Sequence, residues 1–250
     1  MIERDAYLLA GATASGKTAA ANLLARARGA AILSADSMLV YAGMDVGTAK
    51  PSPAERREFA MGGVDVVTPA EKFSSGAWLR AAAKWLASIP ASRPIVVVGG
   101  TGLYFSALLR GLDRAWTNPP PAYPVLQVDR AVLHARIAAR LDDMFLAGLA
   151  QEVAALRRAY PVWSITAAAA IGYKEFIDGL PAAAVREKIL VRTRQLAKRQ
   201  DTWFRHQATP LYVPIGATAE ETAARVADVW DAHGPWRVRL PEEGETVDVA

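Results

Sequence analysis

Short apolar segments alternate along the chain with longer segments in which apolar residues recur at helical spacing. The apolar segments are residues 7–10, 31–33, 64–67, 95–98, 125–128 and 211–213. Each of them predicts a strand, and their alternation with helical segments favours a parallel sheet with helices on both faces. Sheets of this kind bind their ligands beyond the carboxyl ends of the strands.

Helical periodicity is strongest in two later segments, residues 130–156 and 182–206, which predict extra helices in the C-terminal half. Residues 113–121 differ, because Asn118 is followed by three prolines, which fit neither a helix interior nor a central strand. The last residues are acidic and poor in large apolar groups, which is typical of a disordered tail. The predicted parts are one core domain at 1–112 and 122–236, a short linker at 113–121 and a tail at 237–250.

Residues 11–18 have the sequence GATASGKT and match the P-loop motif G-x-x-x-x-G-K-[ST]. The loop follows the first predicted strand and precedes helix-forming residues, so a helix N-terminus would point at bound phosphates. Lys17 supplies a positive charge, and the Thr18 hydroxyl can hold Mg²⁺. The motif makes the fold class P-loop NTPase-like and predicts a phosphate or diphosphate ligand. The candidate diphosphate-binding residues of the loop are Gly11, Thr13, Ala14, Ser15, Gly16, Lys17 and Thr18.

Polar side chains follow two further predicted strands. Asp36 comes after the second strand and would face the P-loop, where a carboxylate can act as a general base or contact Mg²⁺. Thr101 lies in the glycine-rich segment GGTGLY at the end of a buried strand, where its hydroxyl can reach a leaving-group oxygen. Arg136 and Arg140 are four residues apart, share one helix face and suit phosphate oxygens.

The most basic stretch of the chain is residues 186–205, within the last long helical segment. Ile189, Leu196 and Trp203 repeat there every seven residues and would face the core. Arg194 and Lys198 would lie on another side of the helix, which would suit a polyanion such as RNA.

Composition narrows the class of protein. The chain has 250 residues, a formal net charge of +4 and no cysteine, which excludes disulfides and cysteine-ligated zinc. Its three histidines are scattered and give no metal-ligand or triad spacing. We find neither a signal peptide nor an apolar run long enough to span a membrane, and we therefore expect a cytoplasmic protein.

Taken together, these motifs resemble the tRNA dimethylallyltransferase (tRNA isopentenyltransferase) family. The similarity extends, in the family's order, over residues 11–18, 34–51, 99–104, 171–175 and 193–204. The resemblance implies transfer of a dimethylallyl group from dimethylallyl diphosphate to N6 of the tRNA adenosine 3′-adjacent to the anticodon. It also implies a monomer that uses Mg²⁺ and binds the tRNA anticodon stem-loop.

The resemblance assigns roles to residues of this chain. Asp36 would be the general base, with Thr101 and Lys17 as further catalytic residues. The P-loop, Thr18 with Mg²⁺, Arg136 and Arg140 would stabilise the diphosphate leaving group. The target adenosine must leave its stack to reach the site. The predicted tRNA contacts are Asp36, Ser37, Met38, Leu39, Tyr41, Arg194 and Lys198.

The chain departs from the family pattern in three places. The family places a long helical insertion after the segment that matches Gly111 and Leu112, and here only the short linker stands in its place. The family's Pro-His-His-Leu is replaced by residues 60–63, and residues 167–170 are all alanine. Three hypotheses follow: a compact tRNA enzyme, an isopentenyltransferase acting on free adenine nucleotide, and a decayed paralogue that binds diphosphate or nucleotide without turnover.

Overall fold

The computed structural model of the protein describes residues 2–110 and 122–241, which form six strands and ten helices. The strands are β1 (Ile2–Gly11), β2 (Ala31–Ser34), β3 (Ile95–Gly99), β4 (Ala122–Gln127), β5 (Thr209–Pro214) and β6 (Trp236–Leu240). The helices are α1 (Lys17–Arg28), α2 (Pro53–Glu58), α3 (Ser75–Ala87), α4 (Gly102–Arg110), α5 (Arg130–Leu146), α6 (Leu149–Ala159), α7 (Ile165–Ala168), α8 (Lys174–Ile177), α9 (Ala182–Gln207) and α10 (Ala219–His233).

Five of the strands form a parallel sheet in the order β2-β3-β1-β4-β5, and β6 pairs with β1 in the antiparallel direction. The predicted P-loop α/β fold is therefore confirmed. The chain runs outward from β1 to β2, returns through β3 and then crosses β1 to reach β4. The carboxyl ends of β1 and β3 thus lie where the direction of winding reverses, which is where open α/β sheets bind ligands.

Both faces of the sheet are buried, because the central strands carry apolar side chains on each side. In β3, Val96 and Val98 pack with α1 and α10, whereas Ile95 and Val97 pack with α3, α4 and α9. Full burial of each such side chain stabilises the fold by about 1.5–3 kcal/mol. The helices on either side leave the carboxyl edge of the sheet as the open end.

Two predicted elements differ from the structure for local reasons. Residues 64–67 do not form a strand, because Asp65 has a φ of 51° and the N–H of Val66 donates to the carbonyl of Val40 at 2.7 Å, not to a neighbouring strand. The helix predicted for residues 130–156 is two helices, α5 and α6, because Gly148 adopts a left-handed φ of 94° between them.

The predicted tail begins too early, because residues 237–240 belong to β6. Val238 and Leu240 are buried, while Arg237 and Arg239 face outward and pair with acidic residues of β1. This alternation is typical of a strand with one buried face. Residues 242–250 and the predicted linker at 113–121 lie outside the described residues.

Across residues 2–110 and 122–241, no helix combines the length and apolarity needed to cross a membrane.

Candidate active site

The P-loop joins the end of β1 to the start of α1. Gly16 caps α1 with a φ of 93°, a left-handed conformation that glycine adopts at little cost. The N-terminus of α1 therefore points into the loop, as an anion site requires. Lys17 is buried, and its Nζ donates to the carbonyl of Ala12 at 3.2 Å. The Oγ of Ser15 is also buried and has no hydrogen-bond partner among the described residues.

Asp36 and Thr101 meet beside this loop because the ends of β2 and β3 are in close contact. A Cβ atom at Gly99 would lie 2.0 Å from the carbonyl oxygen of Ala35, so only glycine allows this approach. The N–H of Thr101 donates to the same carbonyl at 3.1 Å. The Oγ1 of Thr101 accepts the N–H of Ser37 at 2.9 Å, which leaves the hydroxyl proton free for a ligand oxygen.

The two predicted arginines also reach this region. Arg136 donates to the carbonyl of Ser15 at 3.1 Å, and Arg140 donates to the carbonyl of Thr48 at 3.1 Å. Both side chains line a recess of about 390 Å³ together with Gly16, Lys17 and Thr18. The spacing of the two arginines therefore places both guanidinium groups beside the P-loop.

Electrostatics couples three of these groups. Burial lowers the pKa of Lys17 to about 8; the Asp36 carboxylate opposes this shift, and the Arg140 guanidinium adds to it. Burial also lowers the pKa of Arg140, again opposed by Asp36. Two cations that are poorly solvated and only partly balanced by one carboxylate favour the binding of an anion.

A cavity of about 620 Å³ opens next to the P-loop recess. Thr13, Asp36, Thr101 and Arg140 line it, and so do apolar side chains of α5 and α9. Ala14 and Arg140 line both the cavity and the recess, so the two spaces adjoin. The arrangement suits a ligand with an anionic group and an apolar group, held near a carboxylate.

The residues predicted to contact RNA do not all lie together. Ser37 and Met38 line the cavity with Asp36, and Leu39 is half-buried outside its lining. Tyr41 does not line the cavity, because it is fully buried in the hydrophobic core. The predicted contact by Tyr41 is therefore replaced by a packing role.

Arg194 and Lys198 line a second cavity of about 850 Å³, together with Arg130 and His134. Neither residue lines the cavity that contains Asp36. The other side of α9 faces that cavity through Arg192, Thr193, Leu196, Arg199 and Gln200. As predicted, Arg194 and Lys198 lie on a different face of α9 from Ile189 and Leu196. That face does not line the cavity with Asp36, so any RNA contact of Arg194 and Lys198 would lie outside this cavity.

Gln200 is a site residue that the sequence analysis gave no role. Its Oε1 accepts the N–H of Thr13 at 2.8 Å, and its Nε2 donates to the carbonyl of Gly100 at 3.0 Å. One amide thereby ties the P-loop to the loop that carries Thr101. A single glutamine in a basic helix carries no signal of such distant partners; only the fold reveals them.

Comparison with known sequences identifies relatives over most of the chain. A sequence model described as IPP transferase matches residues 39–124 and 115–207, and one described as isopentenyl transferase matches residues 4–60. A tRNA dimethylallyltransferase from Azoarcus sp. is 34% identical over 307 aligned positions, which cover 89% of this chain and 94% of the relative. One from Thiobacillus denitrificans is 35% identical and covers 91% of this chain and 96% of the relative.

Solved structures share the fold. A tRNA isopentenylpyrophosphate transferase from Bacillus halodurans superimposes with a TM-score of 0.74 at 23% identity, covering 92% of this chain and 99% of that one. One from Staphylococcus epidermidis gives a TM-score of 0.75 at 23% identity, covering 91% and 100%. The alignment with the Azoarcus relative is longer than the 250 residues of this chain, and the two IPP transferase matches meet at 115–124. The relatives therefore carry segments that have no counterpart here.

Proposed function

This chain belongs to the IPP transferase family, and we propose on that premise that it transfers a dimethylallyl group from dimethylallyl diphosphate to tRNA. The acceptor would be N6 of the adenosine 3′-adjacent to the anticodon. One observation carries the proposal: Asp36 and Thr101 lie at one cavity that adjoins the P-loop recess and shares Arg140 with it. This combination suits an allylic diphosphate beside a base.

Asp36 would act as the general base. As the bond forms between N6 and C1 of the allyl group, the bond from C1 to the diphosphate oxygen breaks. The proton of N6 passes to the Asp36 carboxylate, and diphosphate leaves with the electron pair. An exocyclic amine is a poor nucleophile, so removal of its proton in the transition state lowers the barrier.

The leaving group would be held by the P-loop, with Lys17 and the arginine pair Arg136 and Arg140 as its cations. The free proton of Thr101 would donate to the bridging oxygen on which charge develops. The buried Oγ of Ser15, which has no hydrogen-bond partner in the part of the chain that the structure describes, is a further candidate donor to a phosphate oxygen. These groups leave the cavity's other side for the allyl chain and the adenine.

Magnesium would bind in the same recess. Thr18 is an exposed residue that lines the recess, and no group of three acidic or histidine side chains forms a metal site among the described residues. Mg²⁺ typically takes one or two protein oxygens and completes its shell with substrate phosphates and water. Thr18 would therefore hold the ion, which when bound neutralises charge on the diphosphate.

RNA would approach the rim formed by Ser37 and Met38, with Leu39 behind it. Arg194 and Lys198 would contact the phosphate backbone if the RNA also covers the second cavity. The expected protein is a cytoplasmic monomer.

The test is incubation of the protein with dimethylallyl diphosphate and Mg²⁺, with unmodified tRNA or AMP as acceptor. We expect a mass increase of one dimethylallyl group on the adenosine of tRNA and none on AMP. Product on AMP alone would instead support an enzyme for free adenine nucleotide. No product on either acceptor would support the decayed paralogue.

Thr101→Ala is expected to lower kcat by about 10²-fold, because loss of one preorganised donor typically has that effect on a developing oxyanion. The affinity for tRNA should change little, since Thr101 acts on the leaving group. Steady-state prenylation and RNA binding by fluorescence anisotropy measure the two quantities. Thr101→Ser keeps the hydroxyl and should retain most activity. Equal losses of turnover and RNA binding in Thr101→Ala would assign Thr101 a structural role through Ser37.

A further inference from the structure

Glu152 on α6 lies outside the cavity, yet its carboxylate binds a segment of the cavity wall. It accepts the backbone N–H groups of Asp45, Val46 and Gly47 at 3.0, 2.7 and 3.1 Å. A fourth bond comes from the hydroxyl of Tyr173, which donates to Glu152 at 2.6 Å. Hydrogen bonds to an ionised acceptor are about twice as strong as neutral ones, so this carboxylate is a firm anchor.

Tyr173 is itself fixed in place. Its side chain is fully buried, and burial together with the bond to Glu152 raises its pKa, so the hydroxyl stays a proton donor. A Cβ atom at Gly47 would lie 2.5 Å from the Tyr173 ring, so the ring packs directly on the loop backbone. Ile171 and Gly172, which precede Tyr173, line the cavity. One carboxylate therefore joins two separate walls of the cavity.

The anchored loop reaches the charged groups of the site. Gly47 and Thr48 line the cavity, and the carbonyl of Thr48 accepts the bond from Arg140. Arg140 in turn lines the P-loop recess, and its guanidinium interacts electrostatically with the Asp36 carboxylate. A displacement of the loop would therefore move a carbonyl that binds the guanidinium.

We propose that Glu152 and Tyr173 are positioning residues that hold Arg140 through the loop at residues 45–48. The role rests on the proposed function, because it assigns Arg140 to the diphosphate. Tyr173 belongs to a family-like segment, residues 171–175, to which the sequence analysis gave no chemistry. Its burial excludes direct contact with RNA and leaves it to act through Glu152.

Glu152→Gln is the direct test, because glutamine keeps the shape but replaces one of the two carboxylate oxygens with an NH₂ group, which cannot accept the backbone N–H that this oxygen accepts. We expect kcat on tRNA to fall by about 10- to 100-fold, since small displacements of catalytic groups have effects of this size. KM for tRNA should stay within about threefold of the wild-type value. The affinity for inorganic diphosphate with Mg²⁺, measured by calorimetry, should fall by about tenfold, because the proposal assigns the displaced guanidinium of Arg140 to that anion.

Tyr173→Phe removes one of the four bonds and is expected to lower kcat less, by about three- to tenfold. Because the hydroxyl acts through Glu152, the double variant should match Glu152→Gln instead of multiplying the two losses. Backbone amide exchange at residues 45–47 should accelerate in Glu152→Gln. Glu58→Gln and Tyr7→Phe make the same chemical changes on the far side of the sheet and should behave as the wild type. Should Glu152→Gln fail to fold, Tyr173→Phe carries the same test alone.

Three results would overturn the proposal: unchanged kcat and diphosphate affinity in folded Glu152→Gln, a kcat loss without weaker diphosphate binding, or additive losses in the double variant. If the wild type transfers no dimethylallyl group to tRNA, the proposed function fails by itself. Diphosphate affinity and amide exchange then still decide the positioning role, because neither needs turnover.

Discussion

Replacing Asp36 with asparagine is expected to lower kcat for tRNA prenylation by about 10²- to 10⁴-fold, the range typical for loss of a general base. Asparagine is nearly isosteric but cannot accept the N6 proton. The Oδ1 of Asp36 accepts the N–H of Met38 at 2.9 Å, and an amide oxygen can make the same bond, so the loop should keep its shape. Single-turnover prenylation with saturating dimethylallyl diphosphate measures the chemical step.

The affinities for tRNA and diphosphate distinguish a role of Asp36 as a general base from a purely structural role. With Asp36→Asn, the affinity for tRNA should remain within a few-fold of wild type. Affinity for the diphosphate should rise or stay unchanged, because the variant removes a negative charge beside an anion site. Asp228→Asn makes the same change on the exposed face of α10 and serves as the matched control. Near-normal kcat in Asp36→Asn would place the base elsewhere.

The candidate catalytic cluster could be predicted from the sequence, because the strands of a parallel sheet end at the same edge. Asp36 and Thr101 come directly after strands, and such strands end at one edge, so their meeting beside Lys17 needs no knowledge of side-chain contacts. The spacing of Arg136 and Arg140 likewise fixes a shared helix face. The sequence pattern does not give the distance between the ends of β2 and β3. That close approach depends on the absence of a Cβ atom at Gly99.

The faces of α9 illustrate what apolar spacing leaves undecided. Ile189 and Leu196 were predicted to face the core, and both line the cavity that contains Asp36. A cavity wall and a packed core require the same apolar period, so the pattern does not distinguish them. The sequence analysis therefore gave no role to Gln200, a polar residue that lines the same cavity, whereas Arg194 and Lys198 line the second cavity.

β6 and Tyr41 were misjudged for different reasons. The alternation of buried and exposed side chains in residues 236–240 is typical of a strand. The predicted tail included these residues because the residues after them are acidic and poor in large apolar groups. Tyr41 belongs to a family-like segment whose neighbours Ser37 and Met38 do line the cavity, and its burial reflects the loop turning inward within three residues. Sequence adjacency therefore predicted the region of the site but not the direction of each side chain.

Lys17→Met is expected to lower kcat/KM for dimethylallyl diphosphate by about 10³-fold, because it removes the buried P-loop cation that the proposed mechanism assigns to the leaving group. The wild type should show a matching pH dependence. The pKa of Lys17 is about 8 in the free protein, so kcat/KM for the diphosphate should fall tenfold per pH unit well above pH 8. Initial rates at low dimethylallyl diphosphate concentration between pH 6 and about 10 measure this decrease, the alkaline limb of the pH profile.

Folding stability should change in the opposite direction, which separates loss of binding from unfolding. Between about pH 8 and 10.5, the unfolded chain still carries the Lys17 proton that the folded chain has lost. The unfolded state then binds more protons, so this group makes the free energy of unfolding rise with pH across that window. Lys17→Arg keeps the positive charge over this whole pH range. It should therefore abolish the decrease of kcat/KM above pH 8, even if the different geometry of arginine lowers the absolute rate. A limb that persists unchanged in Lys17→Arg would assign the pH dependence to another group and leave Lys17 without its role as the titrating cation.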